Sequence, residues 1–328
     1  MAVKIADGAT IRWGIIGCGA VTEVKSGPAY QKTKGFEVRS VMRRKLALAQ
    51  DYANRHGVAH ALSDADELIN DNNIDAIYIA TPPDSHKYYA LLTAKAGKIR
   101  CIEKPIAPNY QDALAIYNTF ETANLPLFVA YYRRSLPRFN KVKALLENGE
   151  IGEVRHINWH LSKPANELDL TKADNWRTNK NIALGGYFDD LASHGLDLFA
   201  YLLGDYQQAK GIGLNQQGLY SSLDAISACW QHKNGITGSG SWNFGGYSRQ
   251  DKVTLYGSKG EISFSIFDEE AISVENSQGK QNYFIENPEN IQLYHVGNMH
   301  KQLVNNIAHP SNGATALHTS WVMDAILK

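Results

Sequence analysis

Directly after the short apolar run IRWGII the chain turns on Gly17-Cys18-Gly19-Ala20-Val21-Thr22 and enters a segment of helical character. Two glycines one residue apart allow a sharp turn and let backbone amides approach an anion, and a strand that feeds such a turn opens a parallel sheet. The same grammar then repeats. FEVRSVMRR reads as a strand, KLALAQDYANRH as a helix that Gly57 can cap, SDADELIN as a helix, and IDAIYIATPP as a buried strand closed by two prolines. KYYALLTAKAGK returns as a helix, IRCIEKP as a strand, and NYQDALAIYNTFETAN as a helix leading to LPLFVAYYRR. Apolar strands alternating with helices over short connections predict a doubly wound parallel sheet covered on both faces. This α/β domain is expected over residues 1–130.

Beyond residues 133–139 the pattern changes. EVRHINWHLSK, QQAKGIGLNQ, SLDAISACWQH, ITGSGSWNF, KVTLYGSKGEISFSI and AISVENS read as strands, several alternating apolar with polar. Alternation of that kind marks a sheet with one face on a core and the other open. Two helices, SLPRFNKVKALLENG and YFDDLASHGLDLFAYLLG, interrupt the strands. A second, α+β domain with an open, mostly antiparallel sheet is expected over residues 131–328, with the terminal helix ATALHTSWVMDAILK able to pack back on the first domain.

Composition narrows the function. The 328 residues carry 33 Lys+Arg against 33 Asp+Glu, so no basic field gathers nucleic acid or an anionic membrane surface. At 44% hydrophobic and 20% charged the chain can bury a core. No apolar run is long enough to span a bilayer, and the first ten residues, with Lys4 as their one cation, do not read as a secretory signal. Cys18, Cys101 and Cys229 are odd in number and far apart, which speaks against a disulfide framework or a cysteine zinc site, so a cytoplasmic protein is expected.

The candidate cofactor contacts lie at strand ends. Gly17, Cys18, Gly19, Ala20 and Val21 suit a dinucleotide pyrophosphate at a helix N-terminus, and Thr22 stands where the usual fingerprint has its third glycine. The second strand ends at Arg43 and Arg44, where an NAD site would offer an acidic residue to the ribose hydroxyls. Guanidinium groups pair with a 2′-phosphate, so NADP(H) is expected to be preferred, with NAD(H) as the second choice. Thr81, Pro82, Pro83 and His86 follow the strand IDAIYIA at its carboxyl end, where a stiff loop suits a nicotinamide ribose; His86 orients that ribose or caps the next helix. Glu103-Lys104-Pro105 closes IRCIEKP on the same edge, and the Lys104 ammonium could bond both a substrate hydroxyl and a cofactor ribose.

The stretches GIIGCGAVT, ATPPDSH, CIEKPIA and LGGYFDDLASHGLDLFAYLLG, in this order, resemble the Gfo/Idh/MocA family of oxidoreductases over nearly the whole chain. The resemblance implies an N-terminal Rossmann domain, a C-terminal domain with an open sheet, hydride transfer between NAD(P) and a sugar, polyol or related carbonyl compound, and a homodimer or homotetramer built on that sheet. By position, Lys104 resembles the family's lysine at the reaction centre, and Asp190 and His194 its second-domain pair. Independently, Asp190 and His194 are spaced i, i+4, so on a helix both project from one face. His194 is then the general acid or base, Asp190 orients the histidine or the substrate, and Lys104 tunes the proton's path. Arg133, Trp176 and Arg177 are the matching cleft positions for a hydroxylated substrate, with interface packing as their plain alternative.

Three rivals stand beside this reading. His156, His160, Asp190 and His194 converging on a metal is one, but no tight ligand spacing supports it and no metal is expected. A regulatory protein of the same fold that senses NADP(H) without turnover is the second. A dehydrogenase of a non-sugar carbonyl or a dihydrodiol is the third.

Overall fold

The computed structural model describes residues 8–173 and 175–328. The chain divides into two compact units: Met1–Ser135 with Pro288–Leu317, and Leu136–Asn287 with His318–Lys328.

The first unit is a six-stranded parallel sheet in the order β3-β2-β1-β4-β5-β6. Its strands are β1 Ile11–Ile16, β2 Phe36–Met42, β3 His60–Leu62, β4 Ala76–Ile79, β5 Ile99–Ile102 and β6 Leu127–Val129. Between them run α1 Ala20–Val24, α2 Gly27–Lys32, α3 Leu46–His56, α4 Ala65–Asn70, α5 His86–Lys95 and α6 Tyr110–Thr122. Local chemistry sets several helix ends. The Asp64 and Asn109 side chains accept from the amides of Asp66 and Asp112, and Gly57 ends α3 in the left-handed region at φ 65°. β4, β5 and β6 are buried along their whole length and β1 along nearly all of it because both faces are covered, whereas β2 carries the half-buried Glu37 and Arg39 and edge strand β3 starts on the exposed His60. Trp13, Ile15, Tyr78, Cys101 and Phe128 enter one core with α2 and α3, while Ile16, Ile77, Ile79, Ile102 and Val129 enter the other with α4, α5 and α6.

The short edge strand β3 is not marked by any pattern in the sequence, and two further features depart from the sequence reading. The helix expected after the glycine turn is split into α1 and α2, because Pro28 at the start of α2 has no amide with which to continue α1, and Gly27 beside it packs against the Thr22 carbonyl and the Tyr52 hydroxyl with no room for a side chain. The stretch 278–313, to which the sequence reading gives no element, contains a strand and a helix described below; Val296, Met299 and Leu303 of the helix complete the core on the Trp13 face. Burying such side chains is worth roughly 1.5–3 kcal/mol each.

The second unit is an eight-stranded sheet in the order β14-β13-β12-β11-β7-β10-β9-β8, antiparallel except for the β7–β10 pair. Its elements are α7 Pro137–Glu147, β7 Val154–Ser162, α8 Glu167–Leu170, α9 Tyr187–Leu203, β8 Tyr206–Leu214, β9 Ala225–His232, β10 Thr237–Asn243, β11 Gln250–Gly257, β12 Gly260–Phe264, β13 Ile272–Asn276 and β14 Gly279–Tyr283. Two helices close the chain, α10 Leu293–Asn305 in the first unit and α11 Gly313–Leu327, inside which the boundary between units falls. α9 lies on the central strands: Phe199 meets Trp159 edge-on, Phe188 meets Trp242 the same way, and Gly195 sits where any side chain would collide with the Trp159 ring. Trp159 and its β7 neighbours Ile157 and Leu161 are buried beneath the helix. The alternate residues His156, Asn158 and His160 face the other way and bond to Thr237, Ser239 and Ser241 of β10. That face is polar and open, as the alternation predicts. Among the described residues no helix is long and apolar enough to cross a membrane.

Candidate active site

In the first unit the strand order reverses between β1 and β4, the point at which doubly wound sheets take their ligands. The glycine turn lies there. The Gly17 amide donates to the Met42 carbonyl at 2.9 Å, and Gly17 has φ 91°. A Cβ on Gly17 would stand 2.7 Å from Thr81 Cγ2, so only glycine lets the turn pack against the loop after β4. Gly19 is different: the nearest atom to a Cβ there is 3.8 Å away, leaving an open cradle. Ala20 and Val21 begin α1, so helix geometry gives their amides no intrahelical acceptor. An open cradle edged by backbone donors fits a dinucleotide pyrophosphate. With five residues, α1 offers these amides rather than any sizeable dipole. Thr22, in place of a third glycine, is buried and donates its hydroxyl to the Gly19 carbonyl at 2.8 Å, closing the turn.

Cys18 is buried, its thiol pushed up to about 11 by burial and directed at the Met42 carbonyl, so only its backbone faces the cradle. Arg43 leans over the turn, with Nη1 3.5 Å from the Cys18 carbonyl, and Arg44 beside it is exposed. Thr81 takes a hydrogen bond from Ser85 Oγ at 2.7 Å, Pro82 is exposed, and Pro83 is buried at the start of a 3-10 turn.

Two expected cofactor contacts are reassigned by burial. His86 is fully enclosed, with Nε2 2.8 Å from the Thr81 carbonyl and Nδ1 3.1 Å from the Pro105 carbonyl, and burial lowers its pKa to about 4. The ring clamps two loops together and has no face left for a ribose. Glu103 is also buried, accepting from the Tyr78 hydroxyl at 2.6 Å, the Gln292 amide at 2.8 Å and the Lys104 amide at 3.2 Å. Its carboxylate serves the protein interior. Lys104 itself is half-buried at the start of the turn that its neighbour holds, and the Lys104–Pro105 bond is cis. Arg133 is buried, with its guanidinium 5.0 Å from the Tyr132 ring centroid, and Arg134 Nη1 donates to the Pro310 carbonyl.

In the second unit Asp190 and His194 lie one turn apart on α9, 9% and 4% exposed. Arg177 Nε donates to Asp190 Oδ2 at 2.5 Å, and the same guanidinium stacks 4.5 Å from the Trp176 ring centroid. Three residues expected near a substrate, Trp176, Arg177 and Asp190, thus form one group. Phe267 meets the His194 ring edge-on. Asp189 accepts from the Gly185 amide at 3.0 Å, and Asp197 takes the Thr319 hydroxyl at 3.1 Å, so neither shares the Asp190 arrangement.

Residues 11–131 match a family described as an oxidoreductase family with an NAD-binding Rossmann fold, and residues 139–263 match the Gfo/Idh/MocA C-terminal domain. The chain belongs to the Gfo/Idh/MocA oxidoreductases. It is 40% identical over 283 residues to "Oxidoreductase P35" of Formosa agariphila, covering 86% of this chain and 87% of that one. Inositol 2-dehydrogenase of Rhizobium meliloti is 27% identical over 281 residues, covering 82% and 79%. The structure of a levoglucosan dehydrogenase in complex with NADH and levoglucosan superimposes with a TM-score of 0.86 at 21% identity, covering 97% of this chain and 96% of that one. The two-part fold, a parallel Rossmann sheet followed by a mostly antiparallel one, is therefore the family's.

Within this Gfo/Idh/MocA chain the four residues weighed as metal ligands are not gathered into one group. His156 and His160 lie on the face of β7 away from α9, so they do not converge with Asp190 and His194. One lock escaped sequence reading. The Tyr187 hydroxyl donates to Asp169 Oδ1 at 2.9 Å and accepts from Asn175 Nδ2 at 3.1 Å, fixing the segment that carries Trp176 and Arg177 onto the first turn of α9. Its partners are 18 and 12 residues apart in sequence, and no local pattern joins them.

Proposed function

We propose that this oxidoreductase interconverts a carbinol and a carbonyl on a sugar, polyol or sugar-derived compound, using NADP(H) in preference to NAD(H). The observation that carries the reading is Asp190, gripped by Arg177 on the buried turn of α9 that precedes His194. A carboxylate and an imidazole one turn apart, with a planar guanidinium and an indole beside them, suit the hydroxyl groups and C–H faces of a sugar ring.

When bound, the nicotinamide supplies hydride acceptance and donation. The protein's own work is with protons and orientation. His194 takes the proton of the reacting hydroxyl during oxidation and returns it during reduction. Asp190, its carboxylate oriented by Arg177, fixes the substrate or the imidazole, and Lys104 donates a hydrogen bond to the reacting oxygen. Gly19, Ala20 and Val21 offer amides to the pyrophosphate, and Arg43, leaning toward the Cys18 carbonyl, pairs with a 2′-phosphate. The polar face of the second sheet, with His156, His160 and the β10 hydroxyls, is proposed as the contact by which the chain forms a homodimer or homotetramer.

The test is nicotinamide absorbance with purified protein, NADP or NADPH, and a panel of sugars, inositols, anhydrosugars and keto-sugars, with Lys104→Met alongside. Turnover that vanishes in the variant supports the reading. Tight NADPH binding without turnover on any compound would favour the sensor instead.

A further inference from the structure

Residues 289–292, just ahead of α10, run across the first unit from the glycine-turn helices to the lysine turn, and the proposed chemistry leaves them without a role. Asn290 is buried; its Nδ2 donates to the Val24 carbonyl at 2.8 Å, and its Oδ1 accepts from Lys32 Nζ at 2.6 Å. Gln292 is buried too. Its backbone amide reaches the Lys25 carbonyl at 3.4 Å, and its Nε2 donates to Glu103 Oε1 at 2.8 Å. The same Oε1 accepts from the Tyr78 hydroxyl at 2.6 Å, while Oε2 accepts from the Lys104 amide at 3.2 Å. One end of this strap holds the close of α1, and the other holds a carboxylate whose second oxygen holds Lys104.

The Glu103 carboxylate makes no ion pair among the described residues; three neutral donors satisfy it. A buried charge supported in this way depends strongly on each donor. Docking α10 does not need Gln292, since Val296, Met299 and Leu303 already anchor the helix in the core. A buried polar side chain beyond what docking requires points to orientation.

We infer that Gln292 is a positioning residue for the Lys104 turn, setting the lysine against the glycine turn through the Glu103 carboxylate. The inference rests on Lys104 serving the proposed hydride transfer. A lysine displaced by a fraction of an ångström would still bind cofactor but would meet the reacting oxygen badly.

The experiment uses the full chain with Gln292→Met, which keeps the volume and removes the donor, and the swap Glu103→Gln/Gln292→Glu, which restores a carboxylate–amide pair with its ends exchanged. Turnover is measured on a compound the wild type accepts, NADPH affinity by fluorescence, and the rate of Lys104 acetylation by acetic anhydride by mass spectrometry. For Gln292→Met, kcat is expected to fall about tenfold to a hundredfold. NADPH affinity should change less than about twofold, and the acetylation rate should shift by about threefold or more, with the swap recovering most of both losses. Wild-type kcat and acetylation rate in Gln292→Met overturn the inference, as does a swap no better than the single variant. If the wild type turns over none of the panel, the dehydrogenase reading fails, and the acetylation rates alone decide whether the strap holds Lys104.

Discussion

Arg177 and Asp190 are joined by an Nε–Oδ2 bond of 2.5 Å between a 3-10 turn and the first part of α9, and Trp176 braces the guanidinium from behind. The arginine is one-third exposed and the aspartate mostly buried, at 34% and 13% of their side-chain surfaces. The pair therefore lies between a screened surface bridge and a buried one. Arg177→Met should cost about 1–3 kcal/mol of stability in urea unfolding and lower kcat/KM by more than that loss explains. An unchanged kcat/KM would separate the pair from the chemistry.

Arg43→Asp places an acid where a 2′-phosphate is expected and where ribose hydroxyls would accept one. NADPH affinity should drop about tenfold to a hundredfold while NADH binding holds or improves, since charge-assisted bonds are worth roughly 1.5–3 kcal/mol. Paired fluorescence titrations decide the matter, and an unaltered NADPH to NADH ratio would defeat the phosphate assignment.

His194→Ala and Lys104→Met remove the proposed proton-handling groups without touching the glycine turn. Turnover should fall by about 10²–10⁴ with NADPH affinity nearly retained. Near-normal rates in either variant would remove that residue from the proposed mechanism.

Asp189 offers a pH test apart from catalysis. Burial, aided by the charges of Asp324 and Asp190, raises its pKa from 3.8 to about 7 against the opposing bond from the Gly185 amide. Between those two values the folded chain keeps a proton that the unfolded chain has released. Its contribution to stability is thus best below the lower value, declines as pH rises, and levels off above about 7. The full loss is roughly 4 kcal/mol. Asp189→Asn should flatten the part of that decline lying between pH 5 and pH 8, roughly 2.7 kcal/mol of unfolding free energy. Parallel curves for variant and wild type would contradict the shift.

Gly195→Ala inserts a methyl group against the Trp159 ring, one residue after His194. The helix must lift from the sheet, at a cost of about 1–3 kcal/mol. Because the lift carries His194 with it, kcat should fall as well. A variant of wild-type stability would mean that the Trp159 ring yields instead.

Much of this was legible from local pattern. The glycine turn, the apolar strands and the i, i+4 spacing of Asp190 and His194 are short-range signals, and the strands and the helix α9 read from them form, whereas the short β3, α8 and β14 carry no such pattern. What misled was chemistry read without burial. His86 and Glu103 have ligand-like side chains beside a ligand-like edge, but Pro105, Tyr78 and Gln292 enclose them, and Gln292 is 189 residues away from Glu103. The Tyr187–Asp169 lock is hidden for the same reason. α10 shows the reverse case, since Val296, Met299 and Leu303 have helical spacing in plain text, while the face they cover is set by residues from the other end of the chain.

The return of residues 288–317 to the first unit bears on how the chain is made. A ribosome releases β1 through β6 first, but the helix that seals the Trp13 face follows more than 150 residues later, after the whole β7–β14 sheet. Until then the nascent nucleotide-binding half carries an uncovered apolar surface, and the Glu103 carboxylate waits for Gln292. A fragment ending at Ser135 should therefore be a sticky, incompletely closed product, and the two halves of this protein mature together rather than in turn.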